Sequence, residues 1–342
     1  MELEELMNDS IDKLQDDFYS KKFYFSYSSL NKLLWNPIVF HQMYVLGIKE
    51  ERQDAHLVQG KIIHALLLEP EKFADNFIIS PDNLPTGNTK LVVDRVFSHH
   101  QELAKNGDER TNLTEFSDAI IDILRDINLH QSLKTDQQRL DKILTSESEN
   151  YWNFLRSKGS KTLIDQTSYD FCLNAVEIIK TNKELCKLIG CNLTEFDNCQ
   201  VFNEFQVSCD ISNKNFGLKG IVDNLVINHD QKMLYINDIK TTSKDLKDFP
   251  ESVEFYSYWM QAVIYCTLIS IKFQNLIANG YQIKFHFVVI DRNFQTYAFP
   301  VKESTIEGWF DRLNLSLQKA EWHYINKNYD LPYDFATKSI TL

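Results

Sequence analysis

Residues 217–240 read GLKGIVDNLVINHDQKMLYINDIK and contain two apolar runs, 217–227 and 233–240. A turn signal of Asn, His and Asp at 228–230 lies between them. Each run is rich in Val, Ile, Leu and Tyr and therefore predicts a β-strand. With so short a connection, the two strands are expected to fold back on each other as a hairpin.

Folding this hairpin brings Asp223 beside Asp238. Successive side chains of a strand point to opposite faces, so Asp238 and Lys240 share one face while Ile239 turns into the core. Two adjacent carboxylates suit Mg²⁺ or Mn²⁺ better than zinc, because these hard ions prefer oxygen ligands. The reaction that fits a divalent ion, two carboxylates and a lysine is phosphodiester hydrolysis. The alternative is a surface hairpin with one ordinary ion pair, since the Asp-x-Lys sequence is common.

Two predicted helices add polar groups to this picture. The segment 254–271 has apolar residues at helical spacing, and Gln261 and Tyr265 stand four apart on one face of it. The segment 60–70 predicts an amphipathic helix that ends near a proline, with His64 inside its apolar part. Taken singly, such a histidine is usually a core residue, and such a Gln/Tyr pair is usually an ordinary neighbour contact.

Along the chain, a helix with Gly-x-x-x-His is followed by an Asp, a strand with Asp-x-Lys and a helix with Gln-x-x-x-Tyr. These motifs in this order resemble the PD-(D/E)XK nuclease superfamily in its RecB-like branch. The run 26–37, SYSSLNKLLWNP, followed by the helix at 60–70, is similar to the RecE-type exonuclease, exodeoxyribonuclease VIII. The resemblance covers about residues 24–75 and 200–300.

The resemblance implies a metal site and a catalytic lysine. His64, Asp223 and Asp238 correspond to metal ligands, and the main-chain carbonyl of Ile239 is a further oxygen ligand. Lys240 corresponds to the group that activates or orients the attacking water. The implied ion is Mg²⁺, with Mn²⁺ as the alternative.

Four further residues are candidates for roles at this site. Gln261 and Tyr265 correspond to the helix motif that supports the catalytic lysine and contacts the DNA backbone. Lys244 is a candidate DNA-binding residue just beyond the Asp-x-Lys strand. Glu204, on the apolar strand 201–207, is a candidate further acidic group, with a solvated strand residue as the equal alternative.

The implied activity is a Mg²⁺-dependent DNA exonuclease that degrades double-stranded DNA from its ends for recombination or repair. The implied partners are DNA ends, a single-strand annealing protein and further copies of the chain in a cyclic homo-oligomer. Two other functions stay open: a structure-specific or restriction-like endonuclease, and a non-catalytic DNA-binding protein. The complete Asp/Asp/Lys set speaks against a decayed site.

Composition and charge limit the other possibilities. The chain has 342 residues, 43% of them hydrophobic, which predicts a globular protein with a large core. The net charge of −12 argues against a broad DNA-coating surface but not against a local basic channel. An acidic start and the lack of a long apolar run predict a protein of the cytoplasm without membrane spans, and a phage-encoded protein acting in its host fits this expectation.

The six cysteines do not form a Cys-x-x-Cys pair, so buried free thiols are expected rather than zinc or disulfides. Some RecB-like relatives bind an iron–sulfur cluster through one early cysteine and three late ones. Here the cysteines lie between 172 and 266, so we expect no such cluster.

The predicted fold class is α/β, with a restriction-endonuclease-like central mixed sheet flanked by helices and a helical N-terminal elaboration. We expect one nuclease domain over 1–342, made of N-terminal helices (24–75), a helical insertion (91–190) and a catalytic core (197–325). The predicted strands are 200–208, 216–227, 233–240, 282–290 and 296–301. The principal predicted helices are 26–44, 57–68, 115–127, 138–144, 151–155, 169–179, 254–271 and 304–323.

Overall fold

The computed structural model describes residues 13–48, 55–81, 84–194 and 197–340. The acidic chain start lies outside the described residues. The chain divides into two compact units, Met1–Pro70 with Leu173–Leu342, and Glu71–Cys172. The single nuclease domain with an insertion at 91–190 stays a prediction. No helix among the described residues is both long and apolar enough to cross a membrane.

The described chain contains both helices and strands. The strands are β1 Phe23–Phe25, β2 Phe77–Ile79, β3 Thr162–Ile164, β4 Cys199–Asp210, β5 Phe216–Asn228, β6 Met233–Thr242, β7 Gln282–Asp291 and β8 Thr296–Val301. The helices are α1 (13–20), α2 Tyr27–Trp35, α3 Pro37–Phe40, α4 Ala55–Leu68, α5 Phe73–Asn76, α6 Gly87–Lys105, α7 Ser117–Asp126, α8 Asp136–Ile143, α9 Ser146–Lys158, α10 Gln166–Thr181, α11 Lys183–Ile189, α12 Phe249–Phe255, α13 Tyr258–Lys272, α14 Gln274–Ala278, α15 Glu303–Asn326 and α16 Tyr333–Ala336.

The first unit is built on a six-stranded mixed sheet with the order β1-β5-β6-β7-β8, in which β4 also pairs with β5. The predicted hairpin is confirmed, because β5 and β6 pair antiparallel from Asn224–Asn237 to Asn228–Met233. Strand β7 runs parallel to β6, and β8 returns antiparallel. The predicted α/β class with a central mixed sheet is therefore confirmed.

Strand β5 changes partner along one edge, and this opens the sheet locally. Its residues 216–218 pair with β1 and its residues 224–228 pair with β6. The intervening residues 219–223 pair with neither of these two strands, although β4 continues to pair on the other edge. The sheet therefore has a gap immediately before Asn224, and helix α4 packs there against β5 and β6.

Helix α13 lies in the main core. Its residues Trp259 to Cys266, Leu268 and Ile269 are all buried, and it packs against β4, β5, β7 and α15. A helix that is apolar all round is stable only when neighbours cover it on every side. This central position fixes the helix that carries Gln261 and Tyr265.

Strands β4 and β5 both change, near Glu204 and Asp223, the face that they turn toward this core. Phe202 and Phe205 pack on the same core with ring centroids 5.3 Å apart, although regular alternation would separate residues three apart. Val222 and Leu225 do the same on β5. Between Phe202 and Phe205, Glu204 adopts a left-handed backbone with φ of 46°, which accounts for the change on β4.

Two predicted helices are interrupted. The segment 26–44 divides at Asn36, whose side chain accepts a hydrogen bond from the Val39 amide and starts α3, and a π-helical turn follows at His41–Val45. The segment 254–271 divides at Ser257, which has φ of 57°. Proline at position 37 explains the first break, because the residue before a proline disfavours helical geometry.

The second unit is mainly helical, with a core around Trp152 and Phe116. The indole Nε1–H of Trp152 donates a hydrogen bond to the carbonyl of Thr111 at 2.8 Å. The long helix α6 and the parallel pair β2–β3 were not among the predicted elements. Strands of three residues carry too little periodicity to be recognised from sequence alone.

The expectation of buried cysteines holds for only three of the six. Cys172, Cys186 and Cys266 are buried, Cys199 and Cys209 are half-buried, and Cys191 is exposed. Cys191 follows Gly190, whose left-handed backbone ends α11 and turns the chain outward.

Candidate active site

The site begins where β5 and β6 separate. Beyond the last paired residues, the carboxylate of Asp223 replaces a main-chain partner: its Oδ2 accepts a hydrogen bond from the Ile239 amide at 2.8 Å. The hairpin thus places Asp223 against the strand that carries Asp238, as the sequence predicts.

Asp238 and Lys240 form an ion pair in which Lys240 Nζ lies 2.5 Å from Asp238 Oδ2. Asp238 is 0% exposed, and neither of its carboxylate oxygens has a hydrogen-bond partner of good geometry, so the contact is electrostatic. Burial raises the pKa of Asp238 above its usual value. Burial lowers the pKa of Lys240, but Asp238 and Asp223 outweigh this effect and hold it above its ordinary value, so the amine is charged.

Helix α4 brings His64 to the same point. Its Nε2–H donates to the carbonyl of Ile239 at 2.9 Å and lies 3.8 Å from Asp223 Oδ2. Its Nδ1 lies 3.6 Å from Glu204 Oε1. Burial lowers the pKa of His64, but Asp223 and Glu204 raise it more, and the result is a pKa of about 9. His64 thus lies against two carboxylates and not in a purely apolar environment.

Glu204 joins the cluster through its unusual backbone. A non-glycine residue in the left-handed region is uncommon inside a strand and costs on the order of 1–3 kcal/mol, which the surrounding structure must offset. Strain of this kind concentrates at functional sites. Asp223 would be its partner in the β4–β5 register, yet this pair is missing between Asn203–Asn224 and Phe205–Val222.

A ladder of three asparagines supports the site, and each asparagine is the sequence neighbour of one of the acidic residues. Asn224 Nδ2 donates to Asn203 Oδ1, and Asn237 Nδ2 donates to Asn224 Oδ1, both at 2.8 Å. The same amides donate to main-chain carbonyls at the ends of α4 and α11, namely Leu68, Leu188 and Ile189. The ladder therefore fixes the helix that carries His64 relative to three strands. Sequence analysis missed it, although Asn immediately before Glu204 and before Asp238, and after Asp223, was a visible signal.

Gln261 and Tyr265 lie inside the core and not on open surface. Gln261 Nε2 donates to Tyr265 Oη at 3.0 Å, and the two residues are 8% and 6% exposed. Burial raises the pKa of Tyr265 well above its usual value, and Asp223 adds to this effect. Gly220 makes room for the ring, since a Cβ there would lie 2.7 Å from Tyr265 Cε1.

Tyr258, which lies beside Lys240, is a second feature of the site that sequence analysis missed. Its ring centroid lies 5.0 Å from Lys240 Nζ, a cation–π distance. Lys244 is not part of the carboxylate cluster: it is exposed beyond the end of β6, with its Nζ 5.9 Å from the ring of Phe255.

The residues present fit a divalent cation. One ligand atom each from His64, Glu204 and Asp223 lies within 4.8 Å of the others. Oδ1 of Asp238, which is buried and has no hydrogen-bond partner, offers a further acceptor. The carboxylates and the imidazole give an oxygen-rich set without sulfur, which suits Mg²⁺ or Mn²⁺ better than soft ions.

Comparison with known proteins gives the family. The sequence profile of the PD-(D/E)XK nuclease superfamily matches residues 24–325, so the chain belongs to this superfamily. A search of curated proteins found no match. Membership makes the chain a nuclease, and nucleases of this superfamily use divalent metals.

Solved structures are similar only at low identity. The crystal structure of a candidate exonuclease from Eubacterium rectale is 11% identical, with a TM-score of 0.46, over 95% of this chain and 91% of that one. The protein SSO0001 is 14% identical, with a TM-score of 0.25, over 83% of this chain and 98% of that one.

Proposed function

We propose that this protein is a Mg²⁺-dependent DNA exonuclease of RecE type that degrades double-stranded DNA from its ends. The observation that carries the proposal is the convergence of Glu204, Asp223 and His64 at the gap between β5 and β6, with Lys240 beside Asp238. Hydrolysis of a phosphodiester needs opposite charge at the phosphate and a positioned water, and these groups supply both.

His64, Glu204, Asp223 and Asp238, with the Ile239 carbonyl, would hold the ion, and His64 would release its proton on binding because only a neutral imidazole nitrogen coordinates a metal. A bound divalent ion polarises the phosphoryl oxygens and lowers the pKa of water. Lys240 is charged, so it acts as a hydrogen-bond donor that orients the water and offsets the negative charge that develops on the phosphate. Tyr258 and Asp238 hold the amine in place from two sides.

The choice of DNA ends over internal sites is supported by the RecE-like run at 26–37 and the helix at 60–70. In this proposal the enzyme prepares DNA for recombination or repair together with a single-strand annealing protein. Lys244 contacts the DNA, whereas Gln261 and Tyr265, which are buried, support the site from within the core. Several copies surround the duplex as a cyclic oligomer, which keeps the enzyme on its substrate.

The test is a cleavage assay on three DNAs, each with and without Mg²⁺: end-labelled linear duplex, covalently closed circular duplex and single strand. We expect progressive loss of linear duplex only when Mg²⁺ is present, and intact circles. The Asp238→Asn variant serves as the control for contaminating nuclease. Rapid cutting of closed circles would replace the exonuclease with an endonuclease, and binding without any cleavage would favour a non-catalytic DNA-binding protein.

A further inference from the structure

Two adjacent aromatic side chains stand in solvent between α12 and α13. Phe255 is 77% exposed and Tyr256 is 46% exposed. Isolated exposed apolar residues are common on protein surfaces, so exposure alone decides nothing. What distinguishes this pair is its position and the way in which its backbone is held.

The pair continues a row of rings that starts at the catalytic lysine. Tyr258 lies 5.0 Å from Lys240 Nζ, and the ring of Tyr256 stacks on that of Tyr258 with centroids 5.4 Å apart and planes at 29°. Phe255 meets Tyr256 edge to face, with centroids 4.9 Å apart. The row therefore leads from the reacting centre outward to solvent. Its length corresponds to a few base steps of a nucleic-acid strand, since each step is about 3.4 Å.

The backbone under the two rings is tied on both sides. The Tyr256 carbonyl accepts a hydrogen bond from the hydroxyl of Tyr27 on α2. Glu254 accepts two hydrogen bonds from Arg312 on α15, at 3.0 and 2.9 Å. Rings on a fixed backbone are preorganised, so a planar ligand can bind without ordering a loop.

Charge around the rings favours a nucleic-acid strand as the occupant. Lys244 places its Nζ 5.9 Å from the Phe255 ring, and Lys240 stands at the inner end of the row. Cations that alternate with exposed aromatic faces are the arrangement that binds unpaired strands, where bases stack on the rings and phosphates meet the lysines.

We propose that Phe255 and Tyr256 form a stacking platform for an unpaired base of the strand that is being cut. This inference rests on the proposed nuclease function and adds a feature of its substrate. Bases inside a duplex have both faces covered by neighbours, so an internal base reaches the platform only after it has left the stack.

The test combines substitutions in the full-length protein with abasic DNA. Linear duplexes carry one abasic residue at successive positions from each end, and single-turnover cleavage is measured for wild type, Phe255→Ala, Tyr256→Ala and Phe255→Trp. Phe335→Ala, which removes another exposed aromatic ring, is the matched control. Melting temperatures check that each variant is folded.

We expect an abasic residue at one register to slow the wild type about ten-fold, because stacking on an aromatic side chain contributes on the order of 1–3 kcal/mol per base. On intact DNA, Phe255→Ala should cleave about as slowly as wild type does on the abasic DNA, and the abasic residue should not slow this variant further. Phe255→Trp and Phe335→Ala should cleave like wild type on both DNAs. A full abasic penalty that persists in Phe255→Ala would overturn the platform, since independent effects add.

A binding measurement separates this result from the nuclease proposal itself. Duplexes with 2-aminopurine at the same register report stacking by fluorescence quenching in the cleavage-deficient Asp238→Asn protein. Quenching that disappears with the added Phe255→Ala substitution supports the platform even if wild type cuts no DNA. Quenching that is unchanged by Phe255→Ala contradicts the platform. A change in particle mass on light scattering also contradicts it, because it would assign the rings to a subunit contact.

Discussion

The charge of individual carboxylates decides whether the site can act. Asp223→Asn keeps an oxygen that can accept from the Ile239 amide, and Asp238→Asn keeps the size of a fully buried side chain. We therefore expect both variants to fold and to lose at least about 100-fold in cleavage rate, since a bound ion supplies several kcal/mol and each 1.36 kcal/mol is tenfold. Asp210→Asn, an exposed carboxylate at the far end of β4, is the matched control, and wild-type rates in Asp223→Asn at saturating Mg²⁺ would refute the assignment.

Lys240 acts mainly at the chemical step in this interpretation. Lys240→Ala should bind DNA nearly as well as wild type and show a large fall in kcat with little change in KM. Lys244→Ala, which removes an exposed lysine outside the cluster, should instead raise KM, and its DNA binding should depend less steeply on salt than that of wild type. Equal losses of affinity and rate in Lys240→Ala would make that lysine an ordinary phosphate contact. The comparison uses single-turnover kinetics and DNA binding without divalent ion.

At the scale of elements, the asparagine ladder holds α4 and α11 against β4, β5 and β6. Asn224→Ala removes the donor to Asn203 and to the end of α11, and the acceptor for Asn237. Buried groups that lose a partner cost about 1–3 kcal/mol each, so the free energy of unfolding in urea should fall by at least that amount. Asn326→Ala on exposed helix surface is the control and should change stability by less than about 0.5 kcal/mol.

The ladder also predicts a functional effect distinct from stability. If it aligns His64 with the carboxylates, Asn224→Ala should cut DNA more slowly even at low temperature, where the variant is fully folded. Cleavage that matches wild type under those conditions would reduce the ladder to a purely structural role.

At the scale of the whole molecule, stability should depend on His286 of the central strand β7. Burial lowers the pKa of His286 to about 4, and Lys284 adds to this effect. The unfolded chain, with a histidine pKa near 6.5, binds the proton first, so the folded state loses stability as pH falls from about 6.5 toward 4. Between pH 7.5 and 5, His286 should lower the free energy of unfolding by about 2 kcal/mol. The free energy of unfolding of His286→Phe should therefore fall by about 2 kcal/mol less than that of wild type over the same pH range. Urea denaturation at both pH values is the measurement, with the exposed His99→Phe as control.

The net charge of −12 and the proposed internal channel predict an assembly. A closed ring lets an acidic protein thread DNA past a few lysines without losing it sideways, and cyclic symmetry is common among soluble oligomers. We expect light scattering to give a multiple of the 40.1 kDa chain and processive degradation to fall as salt rises. A monomer at working concentration, or cleavage that is indifferent to salt, would contradict the ring.

The sequence by itself determined the parts of the site that follow local rules. Strand alternation placed Asp238 and Lys240 on one face, the short turn brought Asp223 to the same end of the hairpin, and helical spacing paired Gln261 with Tyr265. Each of these relations depends on residues close in sequence, or on a connection too short to allow alternatives.

Only the tertiary structure decided the rest. The left-handed backbone of Glu204, the partner change of β5 and the break at Ser257 arise where distant elements compete for the same position, and no local preference records such competition. The asparagine ladder likewise joins residues more than ten positions apart. The sequence therefore supplied the candidate catalytic groups, whereas long-range packing decided that His64 and Glu204 lie beside Asp223.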